Sequence, residues 1–147
     1  MRLRTLPIAI ALALVLTPAL TGCGSPIEQL VEGATGGDVD LGGASVPEGF
    51  PSDAVPLTEG EVVFGMGLGD GTGRVWNVTI KVAGLETIDS IKAELEGAGL
   101  TPNEAGLGGV SDQGAAAFYE SDAYGVLVVI TNDGNNGFVA NYTVTQK

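Results

Sequence analysis

The pattern of apolar and polar residues divides the chain into an apolar N-terminal run, a glycine-rich stretch, and a longer C-terminal part with strand and helix periodicities. The apolar run extends from Leu6 to Leu20 and follows Arg2 and Arg4. The order basic, apolar, small residue is that of a secretory signal peptide. The alternative is an uncleaved membrane helix, but the run is shorter than the about 20 apolar residues that a span needs. We therefore predict that residues 1–22 are a signal peptide.

Two segments of the C-terminal part have the period of two that is typical of half-buried strands. Residues 62–68 alternate large apolar side chains with valine and glycine, and residues 76–82 alternate apolar with polar side chains. The apolar side of the second segment consists of Trp76, Val78, Ile80 and Val82. Gly67–Gly73 then forms the hairpin loop between the strands. We expect Trp76 to lie in the core, the alternative being a ligand-facing aromatic platform.

A helical period follows the two strands, and it predicts an amphipathic helix over 87–97. Its apolar stripe consists of Ile88, Ile91, Leu95 and Ala98. Thr87 is the expected N-terminal cap, and Gly99 followed by Leu100 is typical of a left-handed C-terminal cap with its hydrophobic contact.

Three further strands are predicted at 115–120, 124–131 and 138–145, with a turn at 132–137. The middle strand is apolar on both faces over 126–130 and therefore belongs in the interior of the sheet.

The element order predicts an α+β domain over residues 47–147. We expect a mostly antiparallel five-stranded sheet with one helix on one face, in the order β-β-α-β-β-β, as a two-layer sandwich. Before the first strand, prolines keep the chain extended. Its expected anchors in the core are Phe50, Val55 and Leu57.

The segment before the domain is rich in glycine, serine, alanine and aspartate and has no period long enough to pack. We predict that residues 23–46 are a lipidated cysteine followed by a flexible tether. The cysteine closes the sequence Leu20-Thr21-Gly22-Cys23, which is similar to a bacterial lipobox. Such a signal has Cys23 linked to a diacylglyceryl group, carrying chains such as palmitate, before cleavage leaves it as the new N-terminus. Two or three acyl chains on one cysteine hold firmly to a membrane.

The charge of the chain is strongly acidic, with 18 Asp and Glu against 6 Lys and Arg. Loss of Arg2 and Arg4 with the signal leaves four basic residues against 18 acidic ones, a net charge of −14. The negative electrostatic potential of such a chain repels phosphates and anionic headgroups, so no nucleic-acid partner is expected. The partners expected are the membrane, through the lipid on Cys23, and an envelope protein or cell-wall component.

Three segments of the chain resemble a group of small uncharacterised lipoproteins from actinobacteria. They are Gly33-Ala34-Thr35-Gly36-Gly37-Asp38-Val39-Asp40, Phe50-Pro51-Ser52-Asp53-Ala54-Val55-Pro56-Leu57 and Trp76-Asn77-Val78-Thr79-Ile80. The resemblance implies a lipobox, a Gly-rich tether and a domain that begins with the Phe-Pro-Ser-Asp and Val-Pro-Leu elements. It implies no activity.

The residue types for most catalytic chemistry are absent from the sequence. There is no histidine, and the only cysteine is assigned to lipid. A histidine base, a thiolate nucleophile and a zinc site with His or Cys ligands are therefore excluded. We predict no catalytic, metal-binding or cofactor-binding residue and no cofactor; the one site residue predicted is the lipidated Cys23.

Carboxylates are the remaining route to catalysis or metal binding. The pairs are Glu94 with Glu96, Glu120 with Asp122, and Asp38 with Asp40. Each is expected to be a solvated surface charge. Asp133 and the asparagines around it loosely resemble a calcium loop but lack its terminal glutamate, so a turn is favoured.

Two hypotheses of function follow. The favoured one is a membrane-anchored lipoprotein on the extracytoplasmic face of the cell membrane whose domain is a non-enzymatic envelope binding module. The alternative is a carboxylate-dependent glycan hydrolase or a calcium-binding envelope protein. Tyr119, Tyr124 and Tyr142 lie near predicted strand ends and could line a binding groove.

Overall fold

The computed structural model describes residues 39–71, 73–103 and 109–147, with the backbone alone at positions 39 and 41. The elements are β1 (Val39–Gly43), β2 (Val62–Leu68), β3 (Val75–Lys81), α1 (Thr87–Gly97), β4 (Thr101–Pro102), β5 (Gly109–Ser111), β6 (Gly114–Glu120), β7 (Tyr124–Asn132) and β8 (Phe138–Gln146). Among these residues there is an antiparallel sheet with one helix, which confirms the α+β class. The predictions for the signal peptide, Cys23 and Asp38 lie outside the described residues.

The strands form one antiparallel sheet in the order β1-β2-β3-β8-β7-β6-β4, and β5 also pairs with β6. The C-terminal strand β8 lies between β3 and β7, so Tyr142 is opposite both Val78 and Val128. β7 is an interior strand, as its two apolar faces predict. No helix among the described residues is long and apolar enough to cross a membrane.

The sheet has eight strands, so the prediction of five is wrong. The three additional strands are β1, β4 and β5, of which β4 has two residues and β5 has three. β4 and β5 are too short to show an alternating apolar pattern, and β1 ends in two glycines, so the sequence pattern predicted none of the three as a strand. β1 also lies within residues 23–46, which were assigned to the tether, so the described domain begins at Val39.

One hydrophobic core joins alternate residues of the central strands to Ile88, Ile91 and Leu95 of α1. Ala98, which was predicted to belong to the same stripe, is exposed at the C-cap, so that part of the prediction is wrong. Its fully buried large side chains include Ile80, Val126, Val128, Tyr142, Ile88, Ile91 and Leu95. Trp76 is 3% exposed and belongs to this core, as predicted. Phe50 and Val55 are buried against it as well, which confirms their assignment as anchors of the segment before β2.

The facing of β2 differs from that of the other strands. A bulge between Val62 and Phe64 shifts the register, and Gly65 and Gly67 are the buried positions while Phe64 is 40% exposed. A Cβ at position 65 would clash with the carbonyl oxygen of Ser45. The backbone at Ser45, between β1 and β2, therefore packs directly on β2, and only a glycine at position 65 allows this close approach.

The ends of α1 match the prediction at one terminus only. The N-cap position is Glu86, and no side chain caps it, so the prediction that Thr87 is the cap is wrong. At the other end Gly99 has φ +87°, and the Leu100 amide donates to the Leu95 carbonyl over 3.0 Å. This left-handed closure buries Leu100 in the core, as the sequence predicts.

Candidate functional site

A polar cavity of about 340 Å³ lies at the end of the sheet where β6 turns into β7. Its lining consists of Gly99, Thr101, Glu120, Ser121, Asp122 and Lys147. The turn is fixed by the Ser121 amide, which donates to the Tyr124 carbonyl, and by the Ser121 hydroxyl, which accepts from the Tyr124 amide. The fold thus places Glu120 and Asp122 at one site, beside the C-terminal residue of the chain.

Both carboxylate oxygens of Glu120 are already engaged. Lys147 Nζ donates to Oε2 over 3.0 Å, and Asn103 Nδ2 donates to Oε1 over 3.1 Å. Lys147 also donates to the Ser121 carbonyl over 2.9 Å. Each oxygen keeps a further lone pair, but the ion pair with Lys147 and the bond to Asn103 are those of a carboxylate that joins neighbouring segments at the end of the sheet.

Two buried tyrosines make hydrogen bonds through their hydroxyl groups, one with Glu96 of α1 and one with Thr58. Tyr119 donates its hydroxyl hydrogen to Glu96 Oε1 over 2.8 Å, and the Tyr142 hydroxyl accepts from the Thr58 amide over 3.2 Å. Tyr119 is 3% exposed and Tyr142 is fully buried. The hypothesis that these two tyrosines line a binding groove is therefore wrong, because the core encloses them.

The pKa of each buried tyrosine is raised. Burial, with the hydrogen bond to Glu96 and its charge, raises the pKa of Tyr119 from 10.0 to about 12. Burial also raises the pKa of Tyr142 well above 10.0. Above pH 10 the unfolded chain loses phenol protons that the folded chain keeps, so stability should fall as the pH rises through this range.

We expect Tyr119→Phe to flatten this fall between pH 10 and pH 12, by at most about 1.4 kcal/mol per pH unit. Glu96→Gln keeps an acceptor oxygen but removes the charge, so it should flatten the fall by less. Urea unfolding at a series of pH values measures both effects. Parallel curves for the wild type and Tyr119→Phe would contradict the assignment.

The Asn132–Gly137 segment closes the β7–β8 hairpin, which confirms that it is a turn. The Gly134 amide donates to Asn132 Oδ1 over 2.8 Å, and the Asn136 side-chain amide donates to Asp133 Oδ2. These bonds use oxygens that a calcium ion would need. Within the described ranges no group of three or more acidic, His or Cys side chains could hold a metal ion.

An aromatic and cationic cluster lies where the Pro47–Phe50 turn meets β3. The guanidinium carbon of Arg74 is 5.6 Å from the centre of the Trp76 ring. Phe50 meets the same ring edge-on at 6.3 Å, and Trp76 Nε1 donates to the Glu48 carbonyl over 3.3 Å. Sequence reasoning missed Arg74. The available signal was that it is the only arginine after the signal peptide and lies two residues before the only tryptophan.

The side of the sheet opposite the core is a second candidate site, here called the outer face. It consists of the odd-numbered residues of β3, β7 and β8, the even-numbered residues of β6, and Phe64, Met66 and Leu68 of β2. Lys81 and Glu120 are its only charged residues.

Amides and hydroxyls occupy the centre of the outer face. The Asn77 and Asn141 side chains donate to each other over 3.0 Å in both directions. Asn77 also donates to Thr143, and Asn141 to Thr79. The partly exposed apolar side chains Met66, Phe118, Leu127 and Val129 lie beside this network. The result is a flat surface of mixed polarity whose central amides are partnered.

Comparison of the chain with protein-family models, with curated proteins and with solved structures finds no match.

Proposed function

We propose that the chain is a membrane-anchored extracytoplasmic lipoprotein whose domain is a non-enzymatic binding module for a protein of the cell envelope. The lipid on Cys23 localises the chain, and the outer face of the sheet is the binding surface. The proposed architecture is a two-layer sandwich, with α1 packed on one face of the sheet and the outer face left free.

The observation that carries this proposal is the near absence of charge on the outer face. The whole chain has 18 acidic residues, yet the strands of the outer face hold one acidic and one basic side chain, both at its margin, where Lys147 also pairs with Glu120. Protein interfaces are depleted of charge at their centres and enriched in aromatic residues and methionine. Phe64, Met66 and Phe118 supply such side chains here.

The rest of the surface supports a domain that stands away from the lipid. Most acidic side chains of the domain lie in turns, in α1 and in the segments that flank the strands. Anionic headgroups repel such a surface. The ion pair of Glu120 with Lys147 supports a structural role for this carboxylate, whereas a carboxylate-dependent hydrolase needs two carboxyl groups about 5–10 Å apart across a cleft.

Site-specific photo-crosslinking in intact envelopes tests the binding surface. A photoreactive amino acid at Leu127, in the middle of the outer face, should give a discrete adduct with one protein. The matched control is Ala93, which is exposed on α1 and should give none. Equal adducts from both positions, or none from Leu127, would overturn the proposal, and an adduct of twice the chain mass would show self-association instead.

A further inference from the structure

Of the four cations among the described residues, Arg74 and Lys81 have no carboxylate within salt-bridge distance, and of these two only Arg74 is partly buried. Lys92 lies 3.6 Å from Asp89, and Lys147 lies 3.0 Å from Glu120. No carboxylate of the described residues lies within salt-bridge distance of Arg74, although the chain is strongly acidic. An unpaired guanidinium in such a chain is a position where an external anion gains an interaction that no side chain supplies.

The guanidinium of Arg74 is held in a fixed position. It lies over the Trp76 ring, between two glycines whose missing side chains leave room for it. A Cβ at position 49 would lie 2.9 Å from Nη1, and one at position 67 would lie 3.6 Å from Nη2. The turn at Gly49, with φ +70°, therefore brings backbone up to the guanidinium. A group immobilised before binding loses less entropy when a ligand arrives.

The guanidinium of Arg74 makes no hydrogen bond with the described residues. Nε is buried without an acceptor among them, so an external ligand can use only the Nη1 and Nη2 donors. The side chain as a whole stays partly exposed. Because a guanidinium has five N–H donors and no acceptor, its natural ligand is an oxyanion that can accept two parallel bonds.

We propose that Arg74, supported by Trp76, is a binding site for the carboxylate group of an envelope ligand. The planar fork of the guanidinium matches a carboxylate. The net charge of −12 disfavours a doubly charged phosphate more than a singly charged carboxylate. Arg74 immediately precedes β3, in the connection from β2, and the site does not use the outer face, so the test of this site is independent of the test of the proposed function.

Binding at this site can be followed by tryptophan fluorescence, because Trp76 is the only tryptophan of the chain. Neutralising a cation 5.6 Å from the ring should change the emission of Trp76. Since Trp76 is only 3% exposed, collisions with a dissolved ligand contribute little to that change. A saturable change therefore indicates binding at Arg74.

The experiment titrates the full chain, purified in a non-ionic detergent, with N-acetyl-trialanine that has a free C-terminal carboxylate. We expect a saturable change in Trp76 emission with a dissociation constant in the range of about 1 mM. The amidated peptide should give no change, and inorganic phosphate should bind more weakly than the free acid. Calorimetry in parallel detects binding that the emission does not report.

Three variants separate the site from general electrostatics. Arg74→Gln should abolish the response, and Arg74→Lys, which keeps the charge but loses the fork, should weaken binding by about tenfold. Lys81→Gln removes the same charge from the other end of β3 and should leave binding unchanged. Circular dichroism melts check that each variant is folded.

Three results would overturn the proposal. They are no binding of the free acid to the wild type by either method, unchanged binding by a folded Arg74→Gln variant, and an equal loss in Lys81→Gln. If Arg74→Gln does not fold, the test uses the Arg74→Lys variant instead. Binding of the free acid to Arg74→Lys with wild-type affinity would show that the guanidinium fork does not bind the carboxylate, and would overturn the proposal. Stronger binding of phosphate would assign the site to a different oxyanion.

Discussion

Replacing Trp76 with alanine should lower the free energy of unfolding by about 3–5 kcal/mol. The indole is 3% exposed and packs on Phe50, whose ring centre is 6.3 Å away, and on Tyr124, whose ring centre is 6.4 Å away. Its loss would leave a cavity and an unpartnered Glu48 carbonyl at the place where the segment before β2 docks. A domain of this size has about 5–15 kcal/mol in total, so the loss is large.

Urea unfolding of the full chain measures this effect, and Trp76→Phe is the matched control. Phenylalanine keeps an aromatic ring against Phe50 but lacks the Nε1 donor to Glu48, so it should cost less than half as much. In the wild type we expect blue-shifted emission that acrylamide quenches poorly. If acrylamide quenches the wild-type emission efficiently and Trp76→Ala is as stable as the wild type, the indole lies on the surface. That result would favour the hypothesis of a ligand-facing aromatic platform.

Sequence periodicity predicted the elements in which buried positions carry large apolar side chains and exposed positions carry polar ones. The bounds predicted for α1 agree with the structure, because Ile88, Ile91 and Leu95 form one stripe and Gly99 ends the helix. The strands β3, β7 and β8 lie within about two residues of their predicted positions for the same reason. In each, one face is buried at every second residue, so the period is visible in the sequence.

The parts that were missed depend on backbone contacts between distant segments. Three of the five residues of β1 are glycine or aspartate, and the segment forms a strand because it pairs with the edge of β2. The facing of β2 is set by Gly65 and Gly67, on which Ser45 and Trp76 pack closely. Sequence periodicity identifies a buried face by its large apolar side chains. It cannot identify the buried face of β2, because that face consists of glycines.

The candidate sites were predictable only in part. Glu120 and Asp122 were expected at one strand end, where they do line a cavity. Lys147 and Asn103, which engage Glu120, come from other parts of the chain, so their role follows from the fold and not from local sequence. That no carboxylate of the described residues pairs with Arg74 is likewise a property of the fold, because it depends on where those carboxylates lie.

Replacing Cys23 with alanine should abolish lipid attachment completely. The prediction depends on the sequence Leu20-Thr21-Gly22-Cys23 at the end of the apolar run, since these residues lie outside the described structure. Each buried methylene contributes about 0.8 kcal/mol to membrane binding, and a single acyl chain holds only marginally. A cysteine that carries two or three chains accounts for stable anchoring, and alanine offers no sulfur for the thioether bond.

Metabolic labelling with a radioactive fatty acid measures the attachment, and fractionation of the cells measures its consequence. The wild type should be labelled and remain in the membrane fraction, while Cys23→Ala should carry no label and be shed or left unprocessed. Ser25→Ala is the matched control, because it changes a small residue just after the lipobox and should behave as the wild type. If Cys23→Ala is labelled as strongly as the wild type, the lipobox interpretation fails, and the Leu6–Leu20 run would have to hold the chain as an uncleaved helix.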